Sequence, residues 1–483
     1  MMKQVFQQTG CAAVRMDEQL TRYARPIGIL TALLLSALFV LYNVSSGPLH
    51  NLNDIGGWSN RALFIGMTAA VQGLLLAIAA FLHRGRLSRL LLRQVLLTFG
   101  LLILLLGINQ KTFAYVQQVQ PLVRAMDEGG LSAIAGLQTP LSAPALTLLY
   151  VVTRGPVYDM YMAKLLCIGC MMGLALLAVH VADRRGWGLR ADVLLALCLI
   201  LPQGFLSAAC AAQTDVAAVL MLGLSLSLLW RSHPAAGMVF AGLAVALSGV
   251  SLYALPVYAL AMREGRFGLR HAAMAAAVAL LACVPAVASG MPAGEALASL
   301  LRANFSLPQY ASGAPNLMGV FPRAAMEEMP EYFMLRQVPA LDPVTNATTY
   351  YTQEHFTYIM RGMTLAGLAL YAGLCAWLGG KQAMHPLRQV LALTLGALIV
   401  CPGVSMGAWL LLDVLCLYAV MMAPALRLPA CLVLFATAAG CCYPVTEEIL
   451  LPTVVGFALC AVALCMLLEI VPGAGSGEGE LHG

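Results

Sequence analysis

Apolar runs of about 17–25 residues recur along almost the whole of this 483-residue chain, with short arginine-rich clusters between them. A helix of that length matches the hydrocarbon thickness of a bilayer, so the runs predict transmembrane helices. With 61% hydrophobic residues, 10% charged residues and a mean hydropathy of +0.84, a water-soluble fold is excluded. Surface-to-volume scaling would leave too much apolar area in water. The formal net charge of +5 is modest, and the basic clusters read as cytoplasmic loops rather than as a nucleic-acid surface. The N-terminus is mixed polar, with Lys3, Arg15, Arg22 and Arg25 before the first apolar stretch. That order reads as the positive cytoplasmic flank of a first span and not as a cleavable signal peptide.

The expected fold is an all-α polytopic membrane protein with about 12 full transmembrane helices and two short or re-entrant segments. Full spans are predicted at 26–42, 61–82, 90–108, 161–181, 191–206, 214–230, 271–288, 356–378, 388–400, 408–422, 430–442 and 451–470. Segment 141–152 is too short to cross, and 234–262 is too long for one span and is broken by Gly249 and Pro256. The clusters Arg84/Arg86/Arg89/Arg93, Arg184/Arg185/Arg190, Arg231, Arg263/Arg266/Arg270, Lys381/Arg388 and Arg427 are assigned to the cytoplasm, which places both termini there. Residues 109–160 and 290–355 then become long outer loops, the latter polar. Broken helices at membrane depth survive where they are buried in protein or line a wet cavity. By this reading residues 1–25 are a cytoplasmic segment, 26–89 a two-helix N-terminal addition, 90–472 the main transmembrane domain and 473–483 a disordered tail.

Ionisable groups near membrane depth are costly, so each is a candidate. Asp215, after Gln213 and Thr214, reads either as a helix N-cap or as a site residue. Lys164 reads as a headgroup-snorkelling side chain or as a phosphate ligand. Asp413 is expected to find a structural hydrogen bond, and Glu447 with Glu448 to be a solvated pair. Lys111, Arg124, Arg154, Arg302 and Arg323 are the outer cations, fit for a phosphate headgroup or simply scattered surface charge. Most of the 14 cysteines lie inside apolar runs, where Cys packs as a small hydrophobe. No Gly-rich phosphate loop and no His-Glu-x-x-His occurs, so no resident cofactor or metal is expected.

Three stretches, in order, resemble the GT-C superfamily of membrane glycosyltransferases, and within it the bacterial relatives of the GPI mannosyltransferase II group. The first is Leu201-Pro202 with Ala211-Ala212-Gln213-Thr214-Asp215, followed by the hairpin from Gly237 to Pro256, where Ser248 or a neighbour stands for the family's usual lysine. The second is Ala314-Pro315-Asn316-Leu317. The third runs Cys401-Pro402, Ser405-Met406-Gly407-Ala408-Trp409 and Asp413-Val414-Leu415, and Ala163-Lys164-Leu165 is similar to the opening of an early family span. The resemblance covers roughly residues 90–470. It implies a GT-C-like fold and transfer of a hexose, mannose by analogy, from a polyprenyl-phosphate-linked donor at the outer membrane face. The lipid-linked sugar is a co-substrate, and the acceptor is open. Lys164 or Arg154 would supply the phosphate-binding cation; Gln213, Asn316, Asn109 and Gln110 complete the implied substrate-binding set.

The sequence also departs from the family. The family's catalytic carboxylate lies just after a span in the first large outer loop, where this chain reads Ile108-Asn109-Gln110-Lys111. A general base needs a proton acceptor, so Asp127, Glu128 and Asp215 are the carboxylates available to replace it. The family's His-Glu-Arg-Tyr positions are Ser405, Met406, Gly407 and Ala408, and Thr139-Pro140-Leu141 is also altered. An alternative follows: a catalytically silent GT-C-fold protein that binds lipid or serves as a subunit beside another membrane protein. A transporter ranks third, because inverted repeats are not seen.

Overall fold

A computed structural model of the chain describes residues 20–52, 58–83, 85–112, 115–134, 141–154, 157–305, 315–317, 338–341, 348–351, 366–367, 369–371, 373–374, 386–400, 406–441 and 450–469. The first 19 residues, the tail 473–483, most of the predicted span 356–378, and Thr139, Pro140, Ala314, Arg323, Lys381, Cys401, Pro402, Ser405, Glu447 and Glu448 lie outside the described residues. The chain divides into two compact units, Met1–Ser248 with Ala273–Leu300, and Gly249–Ala272 with Leu301–Gly483.

The helices of the first unit are α1 (Ala24–Ser45), α2 (Trp58–Leu82), α3 (Leu87–Leu105), α4 (Gln120–Gly129), α5 (Ala143–Thr153), α6 (Asp159–Arg184), α7 (Leu189–Leu199), α8 (Asp215–Leu229) and α9 (Pro234–Leu247). The second unit contributes α10 (Leu255–Arg263). Next come α11 (Leu269–Leu281), α12 (Val284–Ala288) and α13 (Ala293–Phe305), and the second unit continues with α14 (Pro386–Val400), α15 (Trp409–Met422), α16 (Arg427–Gly440) and α17 (Leu450–Leu467). The fold fits an α-helical membrane protein. Among the described residues, five helices are long and apolar enough to cross a bilayer: Ala24–Ser45, Ser59–Leu82, Leu87–Leu105, Asp159–Arg184 and Leu269–Ala288. A sixth is added if one bent pair is a single span.

That bent pair covers the segment where a full span is predicted at 191–206. α7 ends at Leu199, and Pro202–Cys210 leaves at 46°, its second part a π-helical turn, Phe205–Cys210. Pro202 has no N–H to give, and its ring excludes a helical residue before it; Leu201 accordingly sits at φ −56°, ψ 123°. The break expected in 234–262 appears where α9 stops at Leu247, Ser248 becomes extended, and a 3-10 turn, Gly249–Ala254, leads into α10. α5, the short segment, has 11 residues and is N-capped by Ser142, which accepts from the Ala145 N–H.

α6 is the axis of the first unit. Its apolar window is 67% buried against 22% for α1, and it packs on α2, α3, α5, α7, α8 and the π turn. Arg93 of α3 ties that helix to its neighbours: Nη2 donates to Asp183 at 2.7 Å, Nη1 to the same carboxylate, and Nε to Asp192 at 2.5 Å. Arg93 is buried, and the two carboxylates compensate the cost of burying its charge.

In the second unit α14 packs on α15 and α17, and α16 on α15 and α17. Arg388 is likewise withdrawn from water. It donates to the Leu467 and Met466 carbonyls at 2.8 and 3.1 Å and pairs with Glu469, closing the C-terminal end of α17. Asp413 finds the expected structural partner in Thr437, 2.9 Å away. One departure from an all-α chain is an antiparallel hairpin, β1 (Val338–Leu341) with β2 (Thr348–Tyr351), in register Val338 to Tyr351. Thr348, Thr349, Tyr350 and Tyr351 are residue types that favour extended backbone.

Candidate functional site

The site is built around the first turns of α6. After Leu105, α3 tightens into i-to-i+3 turns: Gly107 N–H donates to Leu104, Ile108 to Leu105 and Gln110 to Gly107, each at 3.1 Å. Lys164 meets this frayed end. Its ammonium is fully buried and donates to the carbonyls of Gly107 (3.2 Å), Ile108 (2.9 Å) and Gln110 (2.5 Å). An ammonium has three N–H donors, and all three are used. The cation also lies at the negative end of the α3 dipole. Lys164 therefore neither snorkels to a headgroup nor offers a free donor to phosphate. It fixes the turn that carries Asn109 and Gln110, whose side chains are exposed. Tyr161, one turn before Lys164, donates its hydroxyl to Asn109 Oδ1 at 2.8 Å. Gly107 is where this turn meets the π turn: a Cβ there would lie 2.9 Å from Ala209 and 3.0 Å from Cys210 Sγ.

At the mouth of α6, Asp159 accepts from the Met160 N–H at 2.7 Å and lies in the fields of Asp127 and Arg124. Tyr115, fully buried on the π-helical turn Tyr115–Val119, adds a hydroxyl without a hydrogen-bond partner. Burial raises that phenol above its ordinary range, and the Asp159 charge adds to it, so it stays a neutral donor. The Lys164 ammonium sits 5.8 Å from the Tyr115 ring centroid. α4 is amphipathic, with Leu122, Val123 and Met126 buried and Arg124, Asp127 and Glu128 exposed.

The third part is the elbow between the π turn and α8. Asp215 is the first residue of α8, and its Oδ1 accepts from Ser248 Oγ at 2.6 Å. Thr214, not Asp215, occupies the N-cap position, and its side chain makes no cap hydrogen bond. Cys167 of α6 reaches the Gln213 carbonyl at 3.4 Å, and Thr112 reaches the Cys210 carbonyl at 3.4 Å. One face of α6 thus joins the 107–112 turn to the 210–215 elbow.

Of the residues singled out from sequence, Asn109, Gln110, Lys164, Gln213, Asp215 and Asp127 belong to these connected parts, with Glu128 beside Asp127 on α4. Arg154, at the C-terminal end of α5, is exposed, its guanidinium 4.4 Å from the Tyr150 ring centroid. Asn316 is fully buried in the second unit, where its amide donates to the Leu398 carbonyl. Asp159 and Tyr115 were missed. An acidic residue at a helix start is common dipole matching and does not mark a site, and nothing local in the sequence marks Tyr115. Among the described residues no group of three or more His, Cys, Asp or Glu side chains could hold a metal ion. No family model, no curated protein and no solved structure matches this chain.

Proposed function

We propose that this chain is a GT-C-type membrane glycosyltransferase that takes a hexose, of mannose type, from a polyprenyl-phosphate-linked donor at the outer face of a bacterial plasma membrane. The proposal includes about 12 spans, two short segments and cytoplasmic termini. The observation that carries it is the grouping of Asp159, Asp127, Arg124 and Tyr115 beside the locked 107–112 turn. Sugar transfer to an alcohol needs a carboxylate to take the acceptor proton as its oxygen attacks the anomeric carbon. It also needs a cation near the departing polyprenyl phosphate. Asp159 is the base in this reading, with Asp127 beside it, and Arg124 and Lys111 serve the phosphate. Asp215, on the separate 210–215 elbow with Ser248, is not the base in this reading.

The test is transfer of labelled sugar from polyprenyl-phosphate mannose by purified protein, with Asp159→Asn, Asp127→Asn, Glu128→Gln and Asp215→Asn in parallel. Asp159→Asn should cost about 10²–10⁴ in rate. Activity untouched by Asp159→Asn and Asp127→Asn would sink the assignment. A second reading, a silent GT-C-fold lipid binder or subunit, is favoured by the amides of Asn109 and Gln110 at the family's acid position. Donor binding without transfer under any condition would select it.

A further inference from the structure

The elbow before α8 holds more polar chemistry than the proposed transfer step uses. Ala212 has φ 51°, a left-handed conformation that L-residues with a Cβ rarely adopt. It follows a π-helical turn, a form that collects at functional sites. Gln213 Oε1 and Thr214 Oγ1 are buried without a hydrogen-bond partner, and Thr214 is only 4% exposed. Orphaned polar atoms of that kind are rare in folded proteins and call for an explanation. Looseness does not supply one, because the backbone here is tied down. Gln213 N–H donates to Ser207 at 2.9 Å, Cys167 binds the Gln213 carbonyl, and Val216 and Ala217 close the first turn onto Gln213 and Thr214.

The unmet atoms are an amide oxygen, which accepts, and a hydroxyl, which both donates and accepts, beside the Asp215 carboxylate that accepts from Ser248. The nearby cation, Lys164, has already placed its three N–H groups on backbone carbonyls. An anion is repelled by Asp215, whereas a neutral group rich in hydroxyls can donate to the Gln213 amide oxygen and both donate to and accept from the Thr214 hydroxyl. We propose that Gln213, Thr214 and Asp215 form the subsite that reads the ring hydroxyls of the donor sugar. This rests on the glycosyltransferase reading and gives Asp215 a recognition role in place of a basic one. Gln213 is only half-buried, so its side chain can turn toward a sugar without opening the core. Strain at Ala212 is then the local cost of holding these acceptors in place.

The experiment measures binding of polyprenyl-phosphate mannose and of bare polyprenyl phosphate to the full chain in lipid nanodiscs. The wild type should prefer the sugar-bearing lipid about tenfold or more, the equivalent of one to two hydrogen bonds. Thr214→Val and Gln213→Leu should each remove most of that preference and leave bare-lipid affinity unchanged, and Thr214→Ser should restore it. Monodeoxy-mannosyl donors on the wild-type chain give the same readout without a substitution: at least one ring position should lose about fivefold or more. Equal affinity of the wild type for both lipids, or variants and deoxy donors that keep the full preference, overturns the subsite while leaving the lipid-phosphate reading intact. Failure of the wild type to bind either lipid overturns both.

Discussion

The two ends of α3 solve the same problem in opposite ways. At one end Arg93 is buried between Asp183 and Asp192, and at the other Lys164 of α6 is buried against the carbonyls of Gly107, Ile108 and Gln110. The guanidinium fork is neutralised by opposite charge. The ammonium is held by helix-end carbonyls with no carboxylate among its hydrogen-bond partners. A planar fork matches a carboxylate with two parallel bonds, as Arg93 does with Asp183, whereas a compact ammonium suits converging carbonyls. The first arrangement locks three helices together. The second shapes one turn, and that turn carries the candidate site. Buried charge is thus used for stability at one end and for positioning at the other.

The comparison breaks most readily at Arg93. Arg93→Ala leaves two buried carboxylates unpaired and should lower stability by about 3–5 kcal/mol, read from thermal unfolding in detergent. Asp183→Asn should cost more than Asp192→Asn, since Asp183 receives two bonds and Asp192 one. If Arg93→Ala unfolds at the wild-type temperature, the hub is not holding the helices.

Lys164→Met should cost less, about 1–3 kcal/mol for orphaned carbonyls that water partly recovers. Its distinguishing effect is on hydrogen exchange, which should rise across 107–112 and stay unchanged at Asp183 and Asp192. Uniform exchange changes would show that Lys164 is structural in the same sense as Arg93. Gly107→Ala should follow, at about 1–2 kcal/mol, because the new methyl presses on Ala209 and Cys210. The loss should come with reduced donor binding if the turn serves the site.

The smallest effect concerns His83, whose Nδ1 lies 3.3 Å from Arg93 Nη1. Burial, reinforced by the Arg93 charge, holds this imidazole below its ordinary value. The unfolded chain takes up the proton near pH 6.5, about the free value, while the folded chain takes it up only at lower pH. Stability should therefore fall as pH drops below about 6.5 and level off below the folded value. His83→Gln should flatten that slope, and an unchanged slope would detach His83 from the hub.

Much of the helical layout was legible. The starts and stops at 24–45, 58–82 and 159–184 follow to within a few residues from apolar runs, and the break in 234–262 from Gly249 and Pro256, whereas the bend at Pro202 falls inside a run that reads as one span. The candidate site was legible only as a neighbourhood. Asn109, Gln110, Lys164, Gln213 and Asp215 were singled out, but what Lys164 binds was not. Its partners are backbone carbonyls more than 50 residues away, and a carbonyl carries no residue-type signature. The burial and pairing of Arg93 and Arg388 are hidden from the sequence for a related reason. Composition marks an arginine as costly in an apolar setting, and only packing shows whether Asp183 or Glu469 has come to meet it.

The sequence alone determined that this chain is helical and apolar enough to occupy a bilayer, because hydrophobic run length and proline position act locally and survive any tertiary arrangement. Tertiary structure decided which buried charges are neutralised, which turn is held rigid, and that Asp159 lies in the field of Asp127 and Tyr115 in that of Asp159. Those outcomes depend on side chains converging from distant segments. Desolvation makes every unpaired polar atom expensive, so the fold is selected by how such atoms meet, and one-dimensional order does not record that meeting.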